Sequence, residues 1–176
     1  MSGYNMIFAG FGGQGVLFMA KITAVAGMIA NKEVSWYPSY GPEMRGGTAN
    51  CSVCLADDPI GSPLVTEPDA LVVMNTPSFT KFISRVVPGG NVIIDSTLVD
   101  CTTDRTDITI HAVPATQLAN ENNLAGISNM ILLGKLIKET NFTSLKTVEQ
   151  ALLQSIPAKR SHLLEHNLRA IRLGCL

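Results

Sequence analysis

Charge is the scarcest resource in this chain of 176 residues. Only 15% of positions are Asp, Glu, Lys or Arg, against about 25% in an average soluble domain. With 13 basic and 14 acidic side chains the formal net charge is -1, which leaves neither the basic footprint of a nucleic-acid binder nor an acidic tail. The first residues carry no basic n-region and no cleavage-site pattern, so no signal peptide is expected. The longest apolar run, Val16 to Ala30, is interrupted by Lys21 and Thr23 and is too short for an ordinary membrane span. Four cysteines form no iron–sulfur binding series, and without a secretory signal they suit a reducing cytosol. There is no G-x-S-x-G and no carboxylate pair at a recognisable catalytic spacing.

What is abundant is apolar surface, at 46% of residues. A chain of this length buries roughly 70% of its unfolded surface. So little charge cannot cover the whole exterior. Two explanations stand: a compact core under a polar, uncharged surface, or a large permanent interface with other subunits.

The chain is organised around Ala9-Gly10-Phe11-Gly12-Gly13-Gln14-Gly15-Val16. An apolar strand pattern, Asn5–Ala9, leads into it and a helical pattern, Gln14–Asn31, leaves it. Gly10, Gly12 and Gly15 fit G-x-G-x-x-G, whose glycines admit a close ligand and whose helix N-terminus attracts an anion. The full dinucleotide fingerprint needs an acid about 20 positions on, at the end of the second strand. Here that strand ends at Tyr37-Pro38, with Glu33 at its start. The loop also lacks the lysine of a P-loop. Conventional NAD or FAD binding, glycines used only for tight packing, and a different phosphate-bearing ligand or a partner subunit all remain open. The helix itself is apolar all round, so a sheet can cover one side and another element or another chain must cover the rest.

A second glycine-rich stretch runs Ser39-Tyr40-Gly41-Pro42-Glu43-Met44-Arg45-Gly46-Gly47-Thr48. Arg45, uncrowded beside two glycines, can grip a carboxylate or phosphate through two bonds; Glu43 and Arg45 can equally brace their own loop. Pro38 is expected to break the strand Glu33–Tyr37. From Thr48 to Leu55, alternation places Ala49, Cys51, Val53 and Leu55 on one face and Thr48, Asn50, Ser52 and Cys54 on the other. Cys51 and Cys54 spell C-x-x-C but point to opposite faces and cannot share a metal or a disulfide. His162-Leu163-Leu164-Glu165-His166 spells an inverted zinc-peptidase motif with no adequate third ligand after it. His111 reads as a packed strand residue. Asn75-Thr76 and Asp95-Ser96-Thr97 lie at the carboxyl ends of apolar strands, where open α/β sheets bind ligands, although each alone suits helix capping. Strands follow at Ala70–Met74, Val92–Asp95 and Ile108–Val113. Helices are expected from a Thr76 cap to Val87, from Pro114 to Asn122, over Asn129–Glu139 from a Ser128 cap, and near Leu145–Ser155 and Lys159–Leu173. This alternation argues for an α/β sheet with helices on both faces, with an antiparallel edge from Ser39–Leu55.

Taken together, Gly10-Phe11-Gly12-Gly13-Gln14-Gly15-Val16 and Ser39 to Asn50 resemble the gamma subunit of the 2-oxoacid:ferredoxin oxidoreductases. Ile60-Gly61-Ser62-Pro63, Pro88-Gly89-Gly90, Pro114, and Asn129 with Gly134 are also similar to that family. The resemblance covers nearly the whole chain and is strongest to the 2-oxoglutarate and branched-chain types. It implies one gamma-type domain over residues 1–176 with an open, mainly parallel, Rossmann-like sheet and a helical C-terminal region. It also implies a cytoplasmic, non-catalytic subunit of a complex that converts a 2-oxoacid and coenzyme A to acyl-CoA and carbon dioxide and reduces ferredoxin. Thiamine diphosphate, magnesium and the iron–sulfur clusters belong to the alpha, beta and ferredoxin-like partners; this chain binds no cofactor alone, and a homodimer is conceivable when it is isolated. The resemblance implies that Gly10, Gly12, Gly13, Gln14, Gly15, Tyr40, Gly41, Glu43, Arg45, Gly46 and Gly47 line a coenzyme A cleft or a subunit seam. The alternative from another class is a stand-alone nucleotide-binding module or regulator using the Gly10–Gly15 loop.

Overall fold

The computed structural model describes residues 3–39 and 48–176. Six strands form one sheet: β1 (Tyr4–Phe11), β2 (Glu33–Ser39), β3 (Thr48–Ala56), β4 (Ala70–Val73), β5 (Asn91–Asp95) and β6 (Thr109–Val113), in the order β2-β3-β1-β4-β5-β6. β1, β4, β5 and β6 pair in parallel, whereas β3 runs antiparallel to both β1 and β2. The expected mainly parallel sheet is present, but its antiparallel strand, β3, lies one place in from the edge, which is β2.

Helices lie on both faces, but unequally. Met6, Phe8, Cys51, Val53, Val72 and Ile93 face a large core shared with α1 (Val16–Ile29), α3 (Ala115–Glu121), α4 (Ser128–Thr140), α5 (Leu145–Ser155) and α6 (His162–Gly174). Ile7, Ala9, Cys54, Leu71, Val73, Val92 and Ile94 face a smaller core closed by Phe79 and Phe82 of α2 (Thr76–Phe82) with Val65, Val86 and Val99 from connecting segments. The central strands are apolar on both faces because both faces are covered.

The all-round apolar character of α1 has an answer inside the chain. One side packs on β1, β2 and β3, and α5 lies against the other. The second covering element is thus this chain's own α5, so the helix pattern alone does not require a neighbouring subunit. α1 stops at Ile29 rather than Asn31: Asn31 turns left-handed (φ 56) and Lys32 donates back to the Gly27 carbonyl, closing the helix end.

Several other boundaries differ from the sequence expectation. Pro38 does not break β2; it lies within the strand opposite Cys51. β2 is the edge of the sheet, where a residue without an N–H is tolerated on the unpaired side. Asn75, not Thr76, caps α2 by accepting from the Ser78 N–H at 2.8 Å, while the Thr76 hydroxyl accepts from the Asp100 N–H at 3.0 Å. α2 ends at Phe82 and passes into a tighter 3₁₀ turn, Ile83–Arg85, instead of running on to Val87. Ser128 is the first residue of α4 and not its cap, a position held by Ile127 without a side-chain bond. The last expected helix is divided: a 3₁₀ turn, Ala158–Arg160, follows Pro157, and α6 begins at His162.

α4 and α6 meet backbone to backbone at two glycines. A Cβ on Gly134 would collide with the Ile171 carbonyl, and one on Gly174 with the Ile131 carbonyl. Such a contact cannot be relieved by rotating a side chain, so the helices would have to part. Gly134→Ala should therefore destabilise the chain by about 3 kcal/mol. Gly61→Ala, where a Cβ meets nothing within 4 Å, should stay within about 0.5 kcal/mol of the parent. Denaturant unfolding of the two variants measures both.

Candidate functional site

β1 is the pivot of the sheet. From it the chain crosses by α1 to the edge strand β2, while β4 to β6 extend on the opposite side. Ligands of open α/β sheets settle at such a switch point, outside the carboxyl ends of the strands. The Gly10–Gly15 stretch sits there, running from the last two residues of β1 to the cap of α1.

Each loop glycine has its own physical cause. Gly10 is closed in: a Cβ there would lie 2.7 Å from Gln14 Oε1, 2.8 Å from Val16 Cγ2 and 3.2 Å from Met74 Cβ. Gly13, at φ 93, makes the turn in which the Gln14 N–H donates to the Phe11 carbonyl at 3.3 Å. Gly15 is left-handed (φ 76) and is the cap residue of α1. A side chain on Gly15 would strike the carboxamide of Asn129 in α4, whose Cγ would lie 2.9 Å from the added carbon. Asn129 Nδ2 donates to the Gly15 carbonyl at 3.0 Å. Gln14 reaches across the strand ends. Its Oε1 accepts from the Phe11 N–H at 2.6 Å and its Nε2 donates to the Met74 carbonyl, just past β4, at 2.9 Å.

Among the described residues no side chain caps the start of α1, its first turn contains no acid, and the Met19 N–H is the first to bond back, to the Gly15 carbonyl at 3.0 Å. The N–H groups of Val16, Leu17 and Phe18 are therefore helix-terminal donors beside the exposed Gly12 and Gly13. Such a group of donors at the positive end of a helix suits an anion.

Sequence reasoning did not assign Asn129 to this site. It is buried, and its Oδ1 has no hydrogen-bond partner among the described residues. It lies 114 positions from Gly15, and no local pattern signals that contact. Together with Phe18, Ile156, Pro157, Arg160 and others it lines a pocket of about 280 Å³ beside the loop. Of the second motif, Tyr40, Gly41, Glu43, Arg45, Gly46 and Gly47 lie outside the described residues.

The remaining candidates resolve into structural roles. Asp95 is fully buried and serves the start of α3. Its carboxylate accepts from the Thr97 N–H at 3.1 Å, from the Thr116 N–H at 3.1 Å and from the Thr116 hydroxyl at 2.6 Å. Cys51 and Cys54 do face opposite sides of the sheet, one in each core. Burial pushes the Cys51 thiol up to about 12 and raises Cys54 as well, so both are protonated at neutral pH. His162, Glu165 and His166 are exposed on α6, and His166 Nδ1 lies 3.0 Å from the His162 carbonyl. Among the described residues no three His, Cys, Asp or Glu side chains gather as a metal site.

A profile described as pyruvate ferredoxin/flavodoxin oxidoreductase matches residues 5–176. The chain belongs to this family. Within the pyruvate ferredoxin/flavodoxin oxidoreductase family it is 36% identical over 171 residues to 2-oxoglutarate synthase subunit KorC of Methanocaldococcus jannaschii, covering 94% of this chain and 89% of that one. It is also 36% identical over 169 residues to ketoisovalerate oxidoreductase subunit VorA of Methanothermobacter thermautotrophicus, covering 94% of this chain but 34% of the relative. The chain therefore spans about a third of that longer protein. In three dimensions it is similar to the gamma subunit of the keto/oxoacid ferredoxin oxidoreductase from Geobacter sulfurreducens PCA, with a TM-score of 0.83, 27% identity, and coverage of 97% and 95% of the two chains. The first glycine stretch thus lies at the carboxyl edge of the sheet; of the second, Ser39 ends β2 and Thr48 begins β3.

His111 lies in β6, away from that edge. Nε2 faces Asn91 Oδ1 at 3.0 Å, and Nδ1 lies 3.7 Å from Glu139 Oε2. Burial lowers its pKa; Glu139 opposes the shift and Lys135 reinforces it. The bond to Lys135 is the chief cause that holds Glu139 below its ordinary value. A histidine held neutral stabilises fully above its unfolded value of about 6.5, and that stability is lost as pH falls through this value towards the lower folded one. The carboxylate acts in the same direction at lower pH. His111→Asn should flatten the decline of Tm below about pH 6.5, measured as the slope of Tm against pH for the two proteins.

Proposed function

We propose that this chain is the gamma subunit of a multi-subunit 2-oxoacid:ferredoxin oxidoreductase, present as one domain of a cytoplasmic complex. The complex decarboxylates a 2-oxoacid (2-oxoglutarate, a branched-chain acid or pyruvate) with coenzyme A to acyl-CoA and carbon dioxide, and passes the electrons to ferredoxin. Thiamine diphosphate, magnesium and the iron–sulfur clusters are carried by its alpha, beta and ferredoxin-like partners. The observation that carries this reading is the start of α1 behind the glycine turn, where among the described residues no side chain caps the backbone donors and no acid stands in the first turn.

In this role the chain binds and orients. Gly12 and Gly13 let a phosphate approach the backbone, and the N–H groups of Val16, Leu17 and Phe18 hold its charge. Arg45, from the neighbouring motif, adds a bidentate grip on a phosphate or on a companion subunit. Coenzyme A supplies the thiol that accepts the acyl group. Exposed apolar groups suit the subunit seam: Trp36 and Tyr37, on opposite faces of the edge strand, are 39% and 45% exposed, and Met28 at the end of α1 is 64% exposed. Large apolar groups gathered at one edge of a charge-poor chain favour burial against a partner.

Purification from the native cells should recover the chain with thiamine- and cluster-bearing partners and with turnover on one member of a 2-oxoacid panel. A free, stable monomer that binds NAD, FAD or ATP tightly would instead favour a stand-alone nucleotide module. Within the assembled enzyme, Gly13→Asp, read against Gly13→Asn, which carries the same left-handed strain at φ 93 without the charge, sets a fixed carboxylate before α1 where a Cβ meets nothing within 4 Å. It should raise the KM for coenzyme A about tenfold, equivalent to about 1.4 kcal/mol, and leave the KM for the 2-oxoacid unchanged.

A further inference from the structure

At the first glycine of the fingerprint, the space over the backbone is filled by a side chain of the loop itself, while the second, Gly12, where a ligand approaches, is exposed. Gln14 folds back over Gly10 into the space between the ends of β1 and β4, close enough that Gly10 cannot carry a Cβ. Its carboxamide is satisfied at both ends. Oε1 accepts from the Phe11 N–H at 2.6 Å, and Nε2 donates to the Met74 carbonyl at 2.9 Å. These two partners, one a donor and one an acceptor, fix which way the amide points. Among protein side chains of this length only a primary amide serves both at once.

Two consequences follow for the donors of the loop. The Phe11 N–H is consumed, so it cannot meet a ligand. The crevice at the switch point is closed, so an anion has to rest at its mouth, against Gly12, Gly13 and the first turn of α1. The bridge also ties the loop to β4, an element 60 positions away, while Asn129 holds Gly15 from the α4 side. The loop is thereby pinned at both ends.

We infer that Gln14 is a positioning residue for the anion site: it occupies the crevice over Gly10 and presents the α1 donors to a phosphate group at the mouth. The inference rests on the reading that this loop faces the phosphates of coenzyme A. It differs from a role in ligand contact, because Gln14 acts through the backbone it holds. It differs from simple packing, because an apolar side chain of equal length would fill the space without orienting the two strand ends.

The test uses the assembled oxidoreductase carrying Gln14→Ala, Gln14→Glu or Gln14→Met. Glutamate keeps the shape but turns an acceptor towards the Met74 carbonyl; methionine keeps the volume without either bond. Each should raise the KM for coenzyme A about tenfold, corresponding to about 1.4 kcal/mol, while the KM for the 2-oxoacid does not move. A purely structural residue would instead lower Tm and enzyme yield and leave the two KM values in their original ratio. If Gln14→Met matches the parent in that ratio, filling space is sufficient and the inference is overturned. If Gln14→Ala lowers the coenzyme A KM, the side chain competes with the ligand and the inference is likewise wrong. Gly13→Asp separates the two levels. Where it raises the coenzyme A KM and the Gln14 variants do not, the loop binds the phosphates and only the role of Gln14 fails. Where neither series moves it, the binding reading fails as well.

Discussion

The burial of β1 on both faces is the constraint on which everything else rests. Met6 and Phe8 point into the larger core and Ile7 and Ala9 into the smaller, all of them essentially inaccessible. A strand in that position has no water to satisfy its backbone, so it needs a neighbour along each edge. β3 supplies one and β4 the other. Once those partners are fixed, the carboxyl end of β1 can emerge only between the ends of β3 and β4. The glycine loop is set at the switch point as a result, and α1 leaves from it across the larger core.

Glycine serves that arrangement in physically different ways. Gly134 and Gly174 allow two helices to touch through their backbones, and this brings α6 onto α4. Gly10 and Gly15 allow side chains, Gln14 and Asn129, to press onto the loop. The two uses are connected, because Asn129 belongs to the first turn of α4. The packing of the C-terminal helices therefore sets the position of a residue that holds the loop, more than 100 positions earlier in the chain.

Low charge acquires a more specific meaning in three dimensions. Much of the apolar content that could have implied a neighbour for α1 is consumed internally by α5. Among the described residues, exposed apolar groups remain on the edge strand at Trp36 and Tyr37 and at the end of α1 at Met28, and singly at Phe11, Leu64, Leu98, Leu153, Leu163 and Leu176. In the proposed role, such a chain would contribute shape and backbone dipoles to a shared cleft and leave bond making to groups held by its partners.

Much of this was legible in the residues. Strand alternation in Thr48–Leu55 placed Cys51 and Cys54 on opposite faces, apolar runs marked β1, β4 and β5, and the helix over Leu145–Ser155 has the expected bounds. The glycine spacing marked the loop at the carboxyl edge of the sheet, and the missing acid at the end of β2 set it apart from the full dinucleotide fingerprint. These features depend on periodicity and backbone freedom, which act over a few residues. What the residues could not show depends on which elements become neighbours. Asn75 rather than Thr76 caps α2, because only the fold places the Asp100 N–H on the Thr76 hydroxyl. Pro38 continues a strand because that strand proves to be an edge. Gln14 and Asn129 acquire their roles from Met74 and Gly15, partners 60 and 114 positions away. Sequence alone determined the elements and the place of the loop; tertiary structure decided what fills the crevice, because a hydrogen bond depends on distance in space and not along the chain.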